Sequence, residues 1–351
     1  MAEIDELLLM AKERKASDVH LTAALSPKAR INSELVSLTE EKMTVQRLEE
    51  LIRPLLTEAA AEKIEKLGEA DFSYAIPGKG RFRVNVFRQR GSLAAVLRLV
   101  GTEVPPAEQL GIPSDVMDLI HKKRGLVLVT GPTGSGKSTT LASLIDRMNR
   151  ERNCHIIMLE DPIEYLHTHQ QAIINQREIG LDSQSYAGAL RAALREDPDV
   201  ILLGEMRDLD TIATAITAAE TGHLVLSTLH TIGAAATVDR IIDVFPTGQQ
   251  QQIRLQLSNV LEAVVSQQLI PNSEGNGRVA AFEVMFGSVA IRNLIRENKT
   301  HQINGLIQTS KKQGMQMMDD ALYDLYTKHK IDRDMALSYA QDAATMQKRM
   351  Y

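Results

Sequence analysis

The sequence predicts an α/β protein: a parallel sheet preceded by a small α+β unit and followed by C-terminal helices. Three observations carry that expectation. Four short apolar runs, at 126–130, 155–159, 200–203 and 224–227, alternate with helical stretches after Lys137, at 183–196 and at 208–221. The first of these runs opens directly into a glycine-rich loop and then a helix. Residues 101–113, reading GTEVPPAEQLGIP, are rich in structure breakers and mark a linker between a domain at 1–100 and another at 114–351.

The first domain opens on an apolar helical stripe at Ile4, Leu7, Leu8 and Ala11, then alternates over 18–24. A second helical pattern covers 45–66. Two strands follow at 80–88 and 92–99, with Phe82, Val84 and Val86 on one face and Arg81 and Arg83 on the other. Arg98 closes the neighbouring strand, so cations gather on one side of the pair. In the second domain Asp208 is a good N-cap, Gly222 suits the residue after a helix, and Pro246 stops the segment after Gly233. Beyond Gly248 the pattern is expected to be wholly helical.

Composition narrows the function classes. Over 351 residues, 44% apolar and 24% charged content excludes wholesale disorder, and a net charge of −5 gives no overall attraction to nucleic acid or anionic lipid. No run of 18 apolar residues occurs, and acidic residues near the start do not fit a secretory signal, so a cytoplasmic protein without direct membrane insertion is expected. One cysteine, Cys154, excludes an intrachain disulfide and any multi-cysteine zinc site.

The decisive motif is Gly131-Pro132-Thr133-Gly134-Ser135-Gly136-Lys137-Ser138-Thr139, a match to G-x-x-x-x-G-K-[ST] between a strand and a helix. Its glycines let consecutive N–H groups turn inward on an anion, and the helix N-terminus adds positive charge at the same point. ATP fits there, with Lys137 reaching the β and γ phosphates and the Ser138 hydroxyl holding Mg²⁺.

Ligands of parallel sheets sit beyond the carboxyl ends of strands, so polar residues at the other ends are candidates too. The run at 200–203 ends in Gly204-Glu205, where Glu205 must serve the metal because Gly204 replaces the commoner Asp. The run at 155–159 ends in Glu160, Asp161 and Glu164, any of which could orient or deprotonate the attacking water. His230 lies just past the end of the strand that His223 begins; His230 could sense the γ-phosphate, whereas His223 could as easily cap the preceding helix. His167 and His169 lack further ligands nearby and read as exposed loop residues.

Taken in order, 131–139, 159–165, 203–208 and 222–231 resemble the Walker A loop, Asp box, Walker B and His box of the secretion ATPases that drive type IV pili and type II secretion. Ala290-Ile291-Arg292-Asn293-Leu294-Ile295-Arg296-Glu297 is similar to the AIRNLIRE box of the pilus-retraction branch. As an amphipathic helix it would turn Ile291, Leu294 and Ile295 inward and Arg292, Arg296 and Glu297 outward. The resemblance implies a RecA-like P-loop core, a PAS-like first domain, a homohexamer, Glu164 as the catalytic glutamate and Glu205 on Mg²⁺. It also implies that Arg83 and Arg98, then Arg81, reach the nucleotide of a neighbouring subunit, and that force passes to an inner-membrane platform protein at the cytoplasmic face. Extension and type II relatives usually carry a four-cysteine zinc site, which this chain lacks, so retraction is the better fit; a related secretion or DNA-translocating ATPase is the alternative.

Overall fold

A computed structural model describes residues 2–31, 34–101, 103–275 and 277–350; Thr102, in the predicted linker, lies outside them. Contacts divide the chain into two units, Met1–Thr102 with Glu164–Leu166, and Glu103–Ile163 with His167–Tyr351.

The first unit carries six antiparallel strands: β1 (Asp18–Leu21), β2 (Lys28–Ile31), β3 (Glu34–Ser37), β4 (Glu69–Ile76), β5 (Gly80–Gln89) and β6 (Ser92–Leu99), in the order β3-β2-β1-β6-β5-β4. Period-two alternation along β5 buries Phe82, Val84 and Val86 against Ile4, Leu8, Leu48 and Ile52 of the helices, as the pattern predicts. The helix expected over 45–66 is broken. Arg53-Pro54 forms a short 3₁₀ turn between Val45–Ile52 and Glu58–Leu67, because proline has no N–H to continue the ladder. Thr44 and Thr57 cap the two pieces, accepting from Arg47 N at 3.1 Å and Ala60 N at 3.2 Å. Glu164–Leu166 join this unit through a bridge from Tyr165 to Gly101 and a 3.0 Å bond from Leu166 N to Gly101 O.

The second unit is built on seven strands: β7 (Gly125–Thr130), β8 (His155–Glu160), β9 (Ile173–Glu178), β10 (Val200–Leu203), β11 (Leu224–Leu229), β12 (Leu261–Pro271) and β13 (Arg278–Phe286). Their order is β13-β12-β7-β11-β10-β8-β9, parallel except where β13 runs antiparallel to β12. Alternation along β7 sends Leu126 and Leu128 to one apolar core and Val127 and Val129 to the other, so helices cover both faces. The expected N-cap is present: Asp208 accepts from Thr211 N at 2.9 Å.

The expectation of an all-helical chain beyond Gly248 is wrong. The helix Thr247–Val260 passes directly into β12, with no Gly or Pro at the junction. Nearly every residue of β12 is buried, so the strand shows none of the alternation that betrays a half-exposed one. Helices do fill the chain after Val289.

Candidate nucleotide site

The loop after β7 holds Gly131, Gly134 and Gly136 at φ +139°, +78° and +89°, conformations that side chains resist. Gly136 leads into the helix Lys137–Glu151. Lys137 is buried and its Nζ donates to Gly131 O at 2.8 Å and Pro132 O at 2.9 Å, so the ammonium sits inside the turn. Burial pushes its pKa below the usual lysine value, with Glu205 opposing the shift. The Ser135 hydroxyl is buried without a hydrogen-bond partner among the described residues, a donor that suits a phosphate oxygen. Ser138, second in the helix, is exposed.

The floor of this loop comes from β12, one of the strands that sequence reasoning missed. A Cβ on Gly131 would stand 2.2 Å from Gln267 O, and one on Gly136 would stand 2.9 Å from Gln267 Nε2. Gln267 is itself fixed by Thr140, whose hydroxyl donates to Oε1 at 2.7 Å. Gly131→Ala is therefore expected to lower nucleotide affinity at least about 10-fold and to cost about 1–3 kcal/mol in stability. Titration with a fluorescent nucleotide and denaturant unfolding would check both. Beside the loop, a cavity of about 680 Å³ lined by Leu110, Gly136, Thr139, Leu269, Arg278 and Phe282 has room for a base and ribose.

At the end of β10, Glu205 is mostly buried, accepting from Arg207 at 2.7 Å and standing 3.4 Å from His230 Nε2. His230 follows β11, whose Thr228 hydroxyl donates to Gly204 O at 2.6 Å. Glu160 is buried at the end of β8 and accepts from Gln176 Nε2 at 3.1 Å; Asp161 is exposed. Lys137, Glu205 and His230 thus meet at one end of the sheet, as the strand-end argument predicts. A hydroxyl on Ser138 and a carboxylate on Glu205 are hard oxygen donors of the kind Mg²⁺ takes.

Other candidates fall elsewhere. His223 immediately precedes β11, at the opposite end of the strand from His230, and its Nδ1 lies 2.9 Å from Ala218 O while its backbone N–H donates to the same carbonyl at 3.2 Å. It closes the helix Leu209–Glu220 in the manner of a C-cap. His167 is half-buried rather than exposed: burial pushes its pKa down, with Asp146 opposing the shift, and Nε2 is buried. His169 Nδ1 accepts from Ile174 N at 3.0 Å, and no group of three metal-binding side chains occurs among the described residues.

The segment 290–297 forms the helix Val289–Arg296, with Ile291 and Ile295 buried, Leu294 half-buried, and Ala290, Asn293, Arg296 and Glu297 exposed. Arg292 does not face outward as expected. Its guanidinium turns back to Glu262 at 2.6 Å, Gly287 O at 2.8 Å and Ser258 O at 2.9 Å, because the end of the helix Thr247–Val260 and the residue after β13 leave carbonyls, and β12 a carboxylate, that need donors.

In the first unit, Arg83 lies directly across from Arg98 on the paired strands. Arg98 Nε donates to Asp18 Oδ1 at 2.9 Å. Burial opposes ionisation of Asp18, yet hydrogen bonds from Arg98 and Ser17 hold its pKa below the usual value. Arg83 is exposed, with no ion pair among the described residues; Arg81 is half-buried.

A glycine turn that cradles anions at the carboxyl end of an inner parallel strand, with a lysine held inside it, defines a P-loop nucleotide-binding protein. Within that class the chain belongs to the type II/IV secretion system protein family, whose sequence model matches residues 2–330. It is 46% identical over 339 residues to the type IV pilus retraction ATPase PilT of Pseudomonas aeruginosa, covering 97% of this chain and 98% of that one. A twitching motility protein of Neisseria gonorrhoeae is 45% identical, covering 92% and 87%. The crystal structure of the pilus retraction motor PilT with bound ADP matches at a TM-score of 0.91 and 48% identity, over 99% of each chain.

Proposed function

We propose that this protein is a homohexameric, Mg²⁺-dependent ATPase that powers type IV pilus retraction from the cytoplasmic face of the inner membrane. The near full-length likeness to a retraction motor crystallised with ADP carries the reading, together with a phosphate loop complete from Gly131 to Thr139. No helix among the described residues is long and apolar enough to cross a membrane, which is compatible with a peripheral position.

In this reading the Gly131–Thr139 N–H groups and Lys137 bind the polyphosphate, and Ser138 and Glu205 would hold Mg²⁺. When bound, the ion neutralises charge on the β and γ phosphates. Glu164 accepts a proton from the attacking water, Arg83 supplies positive charge from the neighbouring subunit, and His230 reports γ-phosphate loss through Glu205. Residues 1–100 serve as a PAS-like domain, and 101–113 act as the hinge through which closure becomes force. A platform protein in the inner membrane receives that force; nucleic acid has no part in it.

Because each site needs a cation from the next protomer, ATP turnover per subunit should collapse on dilution below the assembly concentration. Activity measured alongside oligomer mass by light scattering would check this. Equal turnover in verified single subunits sinks the ring mechanism, and DNA-stimulated turnover with a steep salt dependence would favour a translocase instead.

A further inference from the structure

The glycine that replaces the usual acid after β10 has a structural reason. Tyr186 opens the helix Tyr186–Ala193, which Ser185 caps by accepting from Gly188 N at 3.2 Å, and its ring packs against the core beneath the sheet. The phenol ends against Gly204: a Cβ there would stand 2.7 Å from the Tyr186 hydroxyl and 3.4 Å from Glu160 Cα. A side chain at 204 would therefore require the Tyr186 phenol to shift. The hydroxyl is buried and has no hydrogen-bond partner among the described residues. A buried O–H left unmade is costly, so its persistence calls for a partner in some other state of the site.

The groups acting on it are Asp161, Glu205 and Glu160, with Arg207 opposing them; burial first, then these carboxylates, push the phenol pKa well above its usual value. It therefore stays a donor among acceptors. Resting on the ATPase reading above, we infer that Tyr186 is a positioning residue for hydrolysis, its hydroxyl filling the place that Gly204 vacates and donating to the acid cluster Glu160–Asp161–Glu205 once nucleotide closes the site. The donated bond fixes Glu205, which would hold the metal, and the acids Glu160 and Asp161 beside it, and leaves nucleotide affinity to the phosphate loop.

Tyr186→Phe keeps the ring and removes only the O–H. On the whole assembled protein, kcat should fall about 10-fold while KM and the Kd of a non-hydrolysable ATP analogue stay within about 2-fold, because the lost bond acts after binding. Without nucleotide the variant should melt at the same temperature or about 2 °C higher, since a buried hydroxyl without a partner has gone. Gly204→Ala should lower Tm in the unaltered chain and do so much less in the Tyr186→Phe background, where the 2.7 Å contact no longer exists. Unchanged kcat in Tyr186→Phe overturns the role, as does a fall in kcat accompanied by an equal loss of analogue binding. An unaltered chain that hydrolyses no ATP sinks the ATPase reading and this role with it, whereas full activity in the variant sinks the role alone.

Discussion

Replacing Arg83 with alanine is expected to lower ATP turnover by about 10³-fold, the scale of an arginine acting on transferring phosphate from a neighbouring subunit. The side chain is suited to that task by what it lacks. Directly opposite on β6, Arg98 is engaged by Asp18 at 2.9 Å, whereas Arg83 projects into solvent with no ion pair among the described residues. Two guanidiniums facing one another across an antiparallel pair repel, and an anionic visitor relieves the repulsion. Since Arg83 is exposed, its loss should leave Tm within a degree or two of the unaltered chain. Mixing gives a sharper readout than either variant alone. Arg83→Ala and Lys137→Ala subunits are each inactive, but in a random equal mixture about a quarter of interfaces combine an intact phosphate loop with an intact arginine. Recovery of activity on mixing supports action between subunits; wild-type-like turnover by Arg83→Ala discards the assignment.

Glu164→Gln should reduce turnover by about 10²–10⁴-fold while ATP still binds, because the amide keeps the shape of the carboxylate and loses its ability to take a proton. The carboxylate is exposed on the short segment that Tyr165 and Leu166 tie to Gly101. Since Glu164 is the proposed base, the variant should retain ATP where the unaltered chain holds ADP. Chromatography of nucleotide released from quenched, assembled protein distinguishes the two. Unchanged hydrolysis would move the base to Asp161 or Glu160.

The motif at 131–139 was legible because it needs particular residues at fixed spacing: glycine where φ is positive, lysine inside the turn, a hydroxyl on the first helical turn. Strands β7, β8, β10 and β11 were legible because each is an apolar run bounded by turn residues and followed by a helical pattern. The broken helix at Arg53-Pro54 had its signal in the proline, which the amphipathic stripe on either side outweighed. The fate of Arg292 had none. An amphipathic pattern reports which residues are apolar, whereas a half-buried arginine depends on the orphan carbonyls of another segment.

By its own composition and spacing, then, the chain determined that it carries a phosphate loop, on which kind of sheet that loop sits, and which acids and histidine lie at the same end of the sheet. Those properties are local, set by residues adjacent in sequence or by a strand's length. Only the tertiary structure decided that β12 lies beneath the glycine loop with Gln267 against Gly131 and Gly136, that Arg98 is committed to Asp18 while Arg83 is not, and that the Tyr186 hydroxyl occupies the notch at Gly204. Each depends on segments from tens to more than a hundred residues apart being packed together, and side-chain contact across such separations leaves no periodicity for a single sequence to display.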